Sequence, residues 1–435
     1  MGQPVEKKNH KKASGIYDVI VIGAGASGMM AAITAARQGR RVLLLEHMDK
    51  PGKKLLATGN GRCNYTNEDM DYSYYYGNKE LVPSIMRYFH NYDTVSFFKE
   101  IGIYPRKKNG YYYPFSGQAL SVVEALTAEL KRLSVTLVVF CDIHGLKPDS
   151  RGFYVQTSTG NYRGKNVIVA TGLKASEKLG SDGSLFPIIK GLGHRFVPIL
   201  PALCGFEAKG MNFKRVAGVR TQASLSLVTD GCRSKLEEEG ELQLTDYGVS
   251  GIPVFQISSK ASRALYAGRK VGLEIDFMPD LTHSMLVEEL NRRFARDKGQ
   301  RTLSQSLCGL FHQKLIPEFL KKAGFHPEAD AGSLGPSEVE KLATTILRYP
   351  VELTKVRDFS TAQVCTGGIR SEEIDIHTLE SKLVPGLFFA GEILDVDGIC
   401  GGYNLQWAWA SGYVAGMLGA PVHFERHMCD SDSTD

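Results

Sequence analysis

After a polar stretch without periodicity over residues 1–15, the chain opens on an apolar run of β type, Asp18 to Ile22. Glycines follow, then small residues that read as a helix from Gly28 to Gln38, then a second apolar strand from Arg41 to Leu45. Strand, helix and strand within about thirty residues predict one βαβ unit, the opening of a parallel α/β sheet. A lysine- and glycine-rich loop is expected from Gly52 to Asn67. Helices are predicted over 80–101, with Phe89, Phe97 and Phe98 inward, and over Ser121–Leu133. Val135–Phe140, Phe153–Thr157 and Lys165–Ala170 read as strands.

Beyond His194 the texture changes. Residues 195–280 alternate Val, Leu and Thr with repeated glycines, which predicts antiparallel strands. Residues 284–347 are helical in character, interrupted near Gly332 to Pro336. Beta character returns from Val351 to Ile376, and Leu387–Ala390 reads as a buried strand. A glycine-rich turn and a helix from Leu405 to Leu418 close the pattern. The order is therefore α/β, β, helical, β, α/β. No repeat or low-complexity segment interrupts it.

Composition adds bounds. The 435 residues give a prior of about three domains. Apolar residues at 43% and charged residues at 23% are those of an ordinary globular chain. The net charge of +5 is too small to imply a nucleic-acid partner, and part of it sits in Lys7, Lys8, Lys11 and Lys12. The eight cysteines, Cys63, Cys141, Cys204, Cys232, Cys308, Cys365, Cys400 and Cys429, include no CxxC pair and no metal-ligand spacing. They read as reduced thiols of a cytoplasmic protein. The early apolar run from Val19 to Ile33 is broken by Gly23, Gly25 and Gly28, so neither a signal peptide nor a membrane span is expected.

The chemistry begins at Gly23-Ala24-Gly25-Ala26-Ser27-Gly28, a G-x-G-x-x-G directly after a strand and opening a helix. Gly23 permits the tight turn, Gly25 lets backbone approach a pyrophosphate, and Gly28 lets the helix pack closely on the sheet. The helix N-terminus offers free N–H groups and its positive dipole end to phosphate. Glu46, at the end of the second strand, suits ribose hydroxyls. Two later segments favour FAD over NAD as the resident dinucleotide. Val167 to Gly172 is a strand whose small-residue end, Thr171-Gly172, returns to the nucleotide edge. Gly386 to Glu392 is a strand followed by Gly391 and Glu392 and then a second glycine-rich turn into a helix. No second G-x-G-x-x-G is present for a separate nicotinamide domain.

Two long motifs carry a resemblance. Gly52-Lys53-Lys54-Leu55-Leu56-Ala57-Thr58-Gly59-Asn60-Gly61-Arg62-Cys63-Asn64-Tyr65-Thr66-Asn67 resembles the signature of a bacterial family of NAD(P)/FAD-dependent, aminoacetone-oxidase-like flavoproteins. The segments Thr378 to Lys382, Asp395 to Gly398 and Gly401 to Gln406 resemble that family's closing motif, so the likeness spans residues 17 to 420. It implies a Rossmann-type FAD-binding domain split between the two ends of the chain, with an inserted β-rich domain that carries a helical subdomain. The implied segments are a tail (1–15), FAD domain (16–194), β-rich insert (195–280), helical subdomain (281–347), β-rich insert (348–364), FAD domain (365–422) and tail (423–435). The chain departs from the family at Asp246 and Ile252, where relatives carry His and Pro.

Taken together, the residues expected to hold FAD are Gly23, Gly25, Ala26, Ser27, Gly28, Glu46, Lys54, Leu55, Thr58, Gly61, Arg62, Cys63, Asn64, Thr171, Gly172, Gly391, Glu392, Gly402, Tyr403, Asn404 and Leu405. Arg62 and Asn64 offer donors to the ring oxygens, and the helix after Gly402 would aim its N-terminus at the ring, with Asn404 and Gln406 in its first turn. Catalytic candidates are Tyr403, Cys63 and Arg62, with Tyr111, Tyr112 and Tyr113 as further proton donors. His194 reads as a structural histidine. The expected activity is NADH- or NADPH-driven reduction of an activated C=C bond. The family includes a bile acid reductase, so a 3-oxo-Δ4 or Δ4,6 steroid acid is the implied substrate. Alternatives are an aminoacetone-like amine oxidase, an RNA-modifying flavoprotein and a flavin-binding sensor.

Overall fold

The computed structural model describes residues 15–425; the lysines of the basic tail and Cys429 lie outside them. The chain divides into two compact units, residues 1–199 with 366–435, and residues 200–365.

The first unit is built on a seven-stranded sheet. Strand β1 (Tyr17–Ile22) lies at its centre, parallel to β2 (Val42–Leu45) on one side and to residues 164–169 on the other. Thr136–Val138 extends the parallel array beyond β2, and Leu387–Phe389 extends it beyond Val167–Val169. Helix α1 (Ala26–Arg37) crosses between β1 and β2. Val19 to Val21 and Leu43 to Leu44 are wholly buried, as a strand covered on both faces requires. The segment Lys165–Ala170, expected as a short strand, is the end of a longer one, Gly160–Val169. Its first half turns back antiparallel on Gly152–Thr157. The closing helix, Tyr403–Gly416, is apolar all round and packs on α1. Gly412 and Gly416 make this approach possible, because a Cβ there would stand 2.4 Å from Ser27 O and 2.6 Å from Ala31 O.

Three expectations need correction here. The Gly52–Asn67 stretch is not all loop, since Lys53–Ala57 forms a helical turn and Thr58–Gly61 a tight turn after it. The single helix over 80–101 is two, Leu81–Met86 and Asn91–Glu100. The second restarts at His90, whose N–H donates to Asp93 Oδ2 at 2.8 Å, a capping arrangement visible in the sequence spacing. In the second unit, the antiparallel region contains a fifteen-residue helix, Ile252–Tyr266. Gly251 at φ +104 and Pro253 in the first turn start it, and Val254, Ile257 and Ala261 form its buried stripe.

That second unit is a closed six-stranded barrel, with strands at Phe206–Lys209, Gly248–Gly251, Cys232–Leu244, Arg220–Thr229, Val271–Asp276 and Tyr349–Val356 in that order around it. Helices His283–Asp297, Ile316–Ala323 and Pro336–Leu347 pack on one another between the last two of these strands. Their apolar faces join the barrel interior in one core that includes Leu225, Leu273, Phe319 and Leu342.

Candidate functional site

The turn from β1 to α1 is fixed by sterics. Gly23 has φ +99, and a Cβ there would lie 2.6 Å from Ala170 O, which brings the turn against Thr171-Gly172. A Cβ on Gly28 would stand 1.8 Å from Gly23 O, whereas one on Gly25 meets nothing within 4 Å. Gly25 therefore faces open space where the other two are hemmed in. The first intrahelical bond runs from Met29 N to Gly25 O, so the N–H groups of Ala26, Ser27 and Gly28 precede the ladder and no side chain caps them. Glu46, next after β2, is buried. Its carboxylate accepts from Ala24 N at 2.7 Å and from Met48 N at 2.8 Å, which braces the same turn.

Gly391 closes this cradle from the far end of the chain. Its φ is +79, and a Cβ would meet Ser27 Oγ at 2.3 Å. Its N–H donates to Ser411 Oγ, and Trp407 Nε1 donates to its carbonyl, so the closing helix holds the turn. Glu392 follows, ion-paired to Lys54 Nζ at 2.9 Å and close to Gly172, whose Cβ would lie 3.4 Å from its carboxylate. Lys54, Gly172 and Glu392 thus meet from three distant parts of the sequence.

The loop after Lys54 is conformationally demanding. Gly59, Asn60, Gly61 and Cys63 all have φ between 53° and 81°. Two of these are not glycine, and such backbone concentrates at functional sites. Cys63 is fully buried, and burial pushes its thiol up to about 12, so it is a neutral thiol, not a thiolate. Leu55 is core. Thr58 Oγ1 donates to Leu55 O at 2.6 Å. Asn64 Oδ1 is buried with no hydrogen-bond partner. Arg62 is exposed.

Gly402 (φ +95) lies against Thr66, with a Cβ 2.8 Å from its carbonyl, so the loop and the start of the closing helix are adjacent. Asn404 does not present its side chain to a ligand. Its Nδ2 donates to Gly398 O at 2.7 Å and its Oδ1 accepts from Gly398 N at 2.9 Å, which leaves only its backbone for one. Gln406 is wholly buried, accepting from Thr66 and Thr94 hydroxyls at 2.7 Å each and donating to Phe89 O. Leu405 is half-buried beside it. Tyr403 is buried edge-on against Tyr74 and Tyr75, and burial raises its hydroxyl well above the usual tyrosine range. Burial raises Tyr112 and Tyr113 as well.

His194 lies in a separate buried network. Its Nδ1 is 3.1 Å from Glu373 Oε2 and its Nε2 is 2.8 Å from Ser381 Oγ. Ser381 Oγ already accepts from Leu383 and Val384 N–H, so it donates to Nε2 and leaves the Nδ1 proton for Glu373. Ser181, beside Gly172, was not singled out from the sequence, nor were Ser411 and Trp407 behind Gly391. No residue pattern marks them, because the fold alone brings them there.

The residues present suit FAD. A run of free helix N–H groups, an open glycine and a braced acid lie at one end, and a strained loop with an unmet buried amide lies at the other. Fold and site together define an oxidoreductase with a Rossmann-type FAD-binding fold. Comparison with known proteins agrees. The chain belongs to the HI0933-like family, matching its Rossmann domain over residues 17–418. It is 41% identical over 404 residues to the 3-dehydro-bile acid delta(4,6)-reductase of Clostridium scindens, covering 92% of this chain and 98% of that one. It is 28% identical over 398 residues to the ribosomal RNA dihydrouridine synthase of Escherichia coli, covering 91% and 96%. Among solved structures, 3-ketosteroid delta1-dehydrogenase from Sterolibacterium denitrificans aligns with a TM-score of 0.48 at 12% identity, over 92% of this chain and 99% of that one. Among the described residues, no helix is long and apolar enough to cross a membrane.

Proposed function

We propose that this protein reduces an electron-poor C=C bond conjugated to a carbonyl, in a 3-oxo-Δ4 or Δ4,6 steroid acid of bile acid type, with electrons from NADH or NADPH. The observation that carries this reading is the 41% identity to a bile acid delta(4,6)-reductase over 98% of that protein. FAD, when bound, supplies two-electron chemistry between donor and acceptor. The nicotinamide loses two electrons and a proton, and the C=C bond gains them with one proton from solvent.

The chain's residues bind and orient. The N–H groups of Ala26, Ser27 and Gly28 take the pyrophosphate, with Gly25 leaving room for it. Glu46 keeps lone pairs for ribose hydroxyls beyond its bonds to Ala24 and Met48. Lys54, Gly172 and Glu392 line the middle of the cradle. Gly61, Arg62 and Asn64 on one side, and the N–H groups of Gly402 to Leu405 on the other, flank the ring. The helix dipole there favours the negative charge that reduction brings. The buried neutral thiol of Cys63 supports the loop.

The same chemistry describes a second reading, reduction of the uracil C5=C6 bond in ribosomal RNA, favoured by the 28% identity to the dihydrouridine synthase. Turnover with a 3-oxo-Δ4,6 steroid acid but not with ribosomal RNA supports the first reading. The reverse overturns it.

A further inference from the structure

The strands Pro105–Lys108 and Tyr111–Pro114 form a hairpin whose two-residue turn, Asn109 and Gly110, has φ of 51° and 80°. These left-handed values suit a type I′ turn. In its register Arg106 pairs with Tyr113 and Lys108 with Tyr111, so these four share one face, while Lys107 and Tyr112 share the other. On the second face Tyr112 lies near buried Tyr65, with ring centroids 6.4 Å apart, and Lys107 beside it is half exposed. The face of Arg106, Lys108, Tyr111 and Tyr113 is aromatic and basic. Phe115 continues it, 55% exposed, with the Arg106 guanidinium 4.4 Å above its ring.

Two features tie this face to the candidate site. A Cβ on Gly59 would lie 3.9 Å from the Tyr113 ring, and one on Gly401 would lie 3.1 Å from the Tyr111 ring. The face therefore borders both the strained loop and the start of the closing helix. Charge is the second feature. Lys107 is paired with Glu68 at 2.8 Å. Arg62, Arg106 and Lys108 are exposed and have no carboxylate partner among the described residues, and Arg106 lies over the Phe115 ring.

We propose that this hairpin face is the substrate's docking wall, and that the substrate it takes is an amphipathic carboxylate. Its flat apolar body lies on Tyr111, Tyr113 and Phe115, and its carboxylate meets Arg106 and Lys108. Paired aromatic and cationic side chains serve both halves of such a molecule. Arg106 and Lys108, two residues apart, stand only about 7 Å from one another along the strand, too short a stripe to track a nucleic-acid backbone. This inference rests on the steroid-acid reading above and adds what selects the acid.

The test uses FAD-loaded protein with a 3-oxo-Δ4,6 bile acid and its uncharged methyl ester. Wild type should favour the acid in kcat/KM by about tenfold, and R106Q/K108Q should abolish that preference through KM. K107Q, on the opposite face of the hairpin, should keep it. A preference unchanged in R106Q/K108Q, or acid and ester weakened alike, overturns the proposal. Equilibrium dialysis with the saturated 3-oxo acid is run alongside. If no steroid turns over but the acid binds wild type about tenfold more tightly than R106Q/K108Q, the docking wall stands and the reductase reading fails. Binding of single-stranded RNA that needs Arg106 and Lys108, without acid binding, overturns the carboxylate assignment.

Discussion

The two glycines at the start of α1, Gly25 and Gly28, make a paired prediction. Gly28 has no room for a methyl group, since its Cβ would sit 1.8 Å from the Gly23 carbonyl. Relief requires the helix to move by more than 1 Å, at a cost of about 1–3 kcal/mol or more in the FAD-free protein. Gly25 has φ −78, and its Cβ meets nothing within 4 Å. Gly25→Ala should destabilise the FAD-free protein by only about 0.5–1 kcal/mol, the difference between glycine and alanine as an N-cap. Its methyl group would occupy the space through which, in the proposed reading, the helix end meets the pyrophosphate. Loss of one charge-assisted bond there is worth about 1.5–3 kcal/mol, a rise in Kd of roughly ten- to a hundredfold. The assay is titration of FAD into deflavinated protein, followed by quenching of flavin fluorescence, with thermal melting of the same samples. Gly28→Ala should lower the melting midpoint clearly and Gly25→Ala barely, while both weaken FAD. Gly25→Ala binding FAD within about threefold of wild type would refute the assignment of this turn to the pyrophosphate.

Three further outcomes are expected. Burial depresses the His194 imidazole below its ordinary value, against the opposing pull of Glu373, so the histidine is neutral in the folded state. Stability from this site is complete above about pH 6.5 and falls as the unfolded chain takes up the proton first, by about 1.4 kcal/mol per unit of depression. The melting midpoint of His194→Gln should respond less to pH between 7.5 and 5 than wild type, and an equal response would contradict the network. Gln406→Leu strands the buried Thr66 hydroxyl and the Phe89 carbonyl, leaves Thr94 only its longer bond to His90 O, and should cost about 3 kcal/mol. The two tryptophans of the chain, Trp407 and Trp409, lie in the same helix and report its urea unfolding, and an unshifted midpoint would rule the role out. With its thiol pushed up to about 12, Cys63 should resist iodoacetamide at neutral pH while exposed Cys232 and Cys308 label, as mass spectrometry would show.

The parts legible in the sequence were those governed by local rules. The glycine fingerprint is a local spacing between a strand and a helix, although only Gly28 is constrained from inside the motif while Gly23 is held against Ala170, and Glu46 follows from the length of one helix and one strand. The Ile252–Tyr266 helix was missed because its polar face carries the same Ser, Lys and Arg as the strands around it. Its start, Gly251-Ile252-Pro253, was the available signal. The Asn109-Gly110 hairpin was equally available, as a two-residue turn between basic and aromatic runs. What no local pattern could show is the meeting of Lys54, Gly172 and Glu392, which lie more than a hundred positions apart and are joined by strand order. Nor could the sequence show that the Asn404 amide is consumed by its own turn. Residue type suggested a donor, and only the Gly398 geometry reveals that the donor is spent.

The most direct test of the account is anaerobic mixing of the FAD-loaded protein with NADH and then NADPH, watching the visible band of the oxidised flavin, followed by a 3-oxo-Δ4,6 steroid acid. The band should bleach with one or both nicotinamides and return when the steroid is added, with one equivalent of C=C bond saturated per flavin. A reduced flavin that the steroid leaves bleached, or a protein that purifies colourless and takes up no FAD, would contradict it.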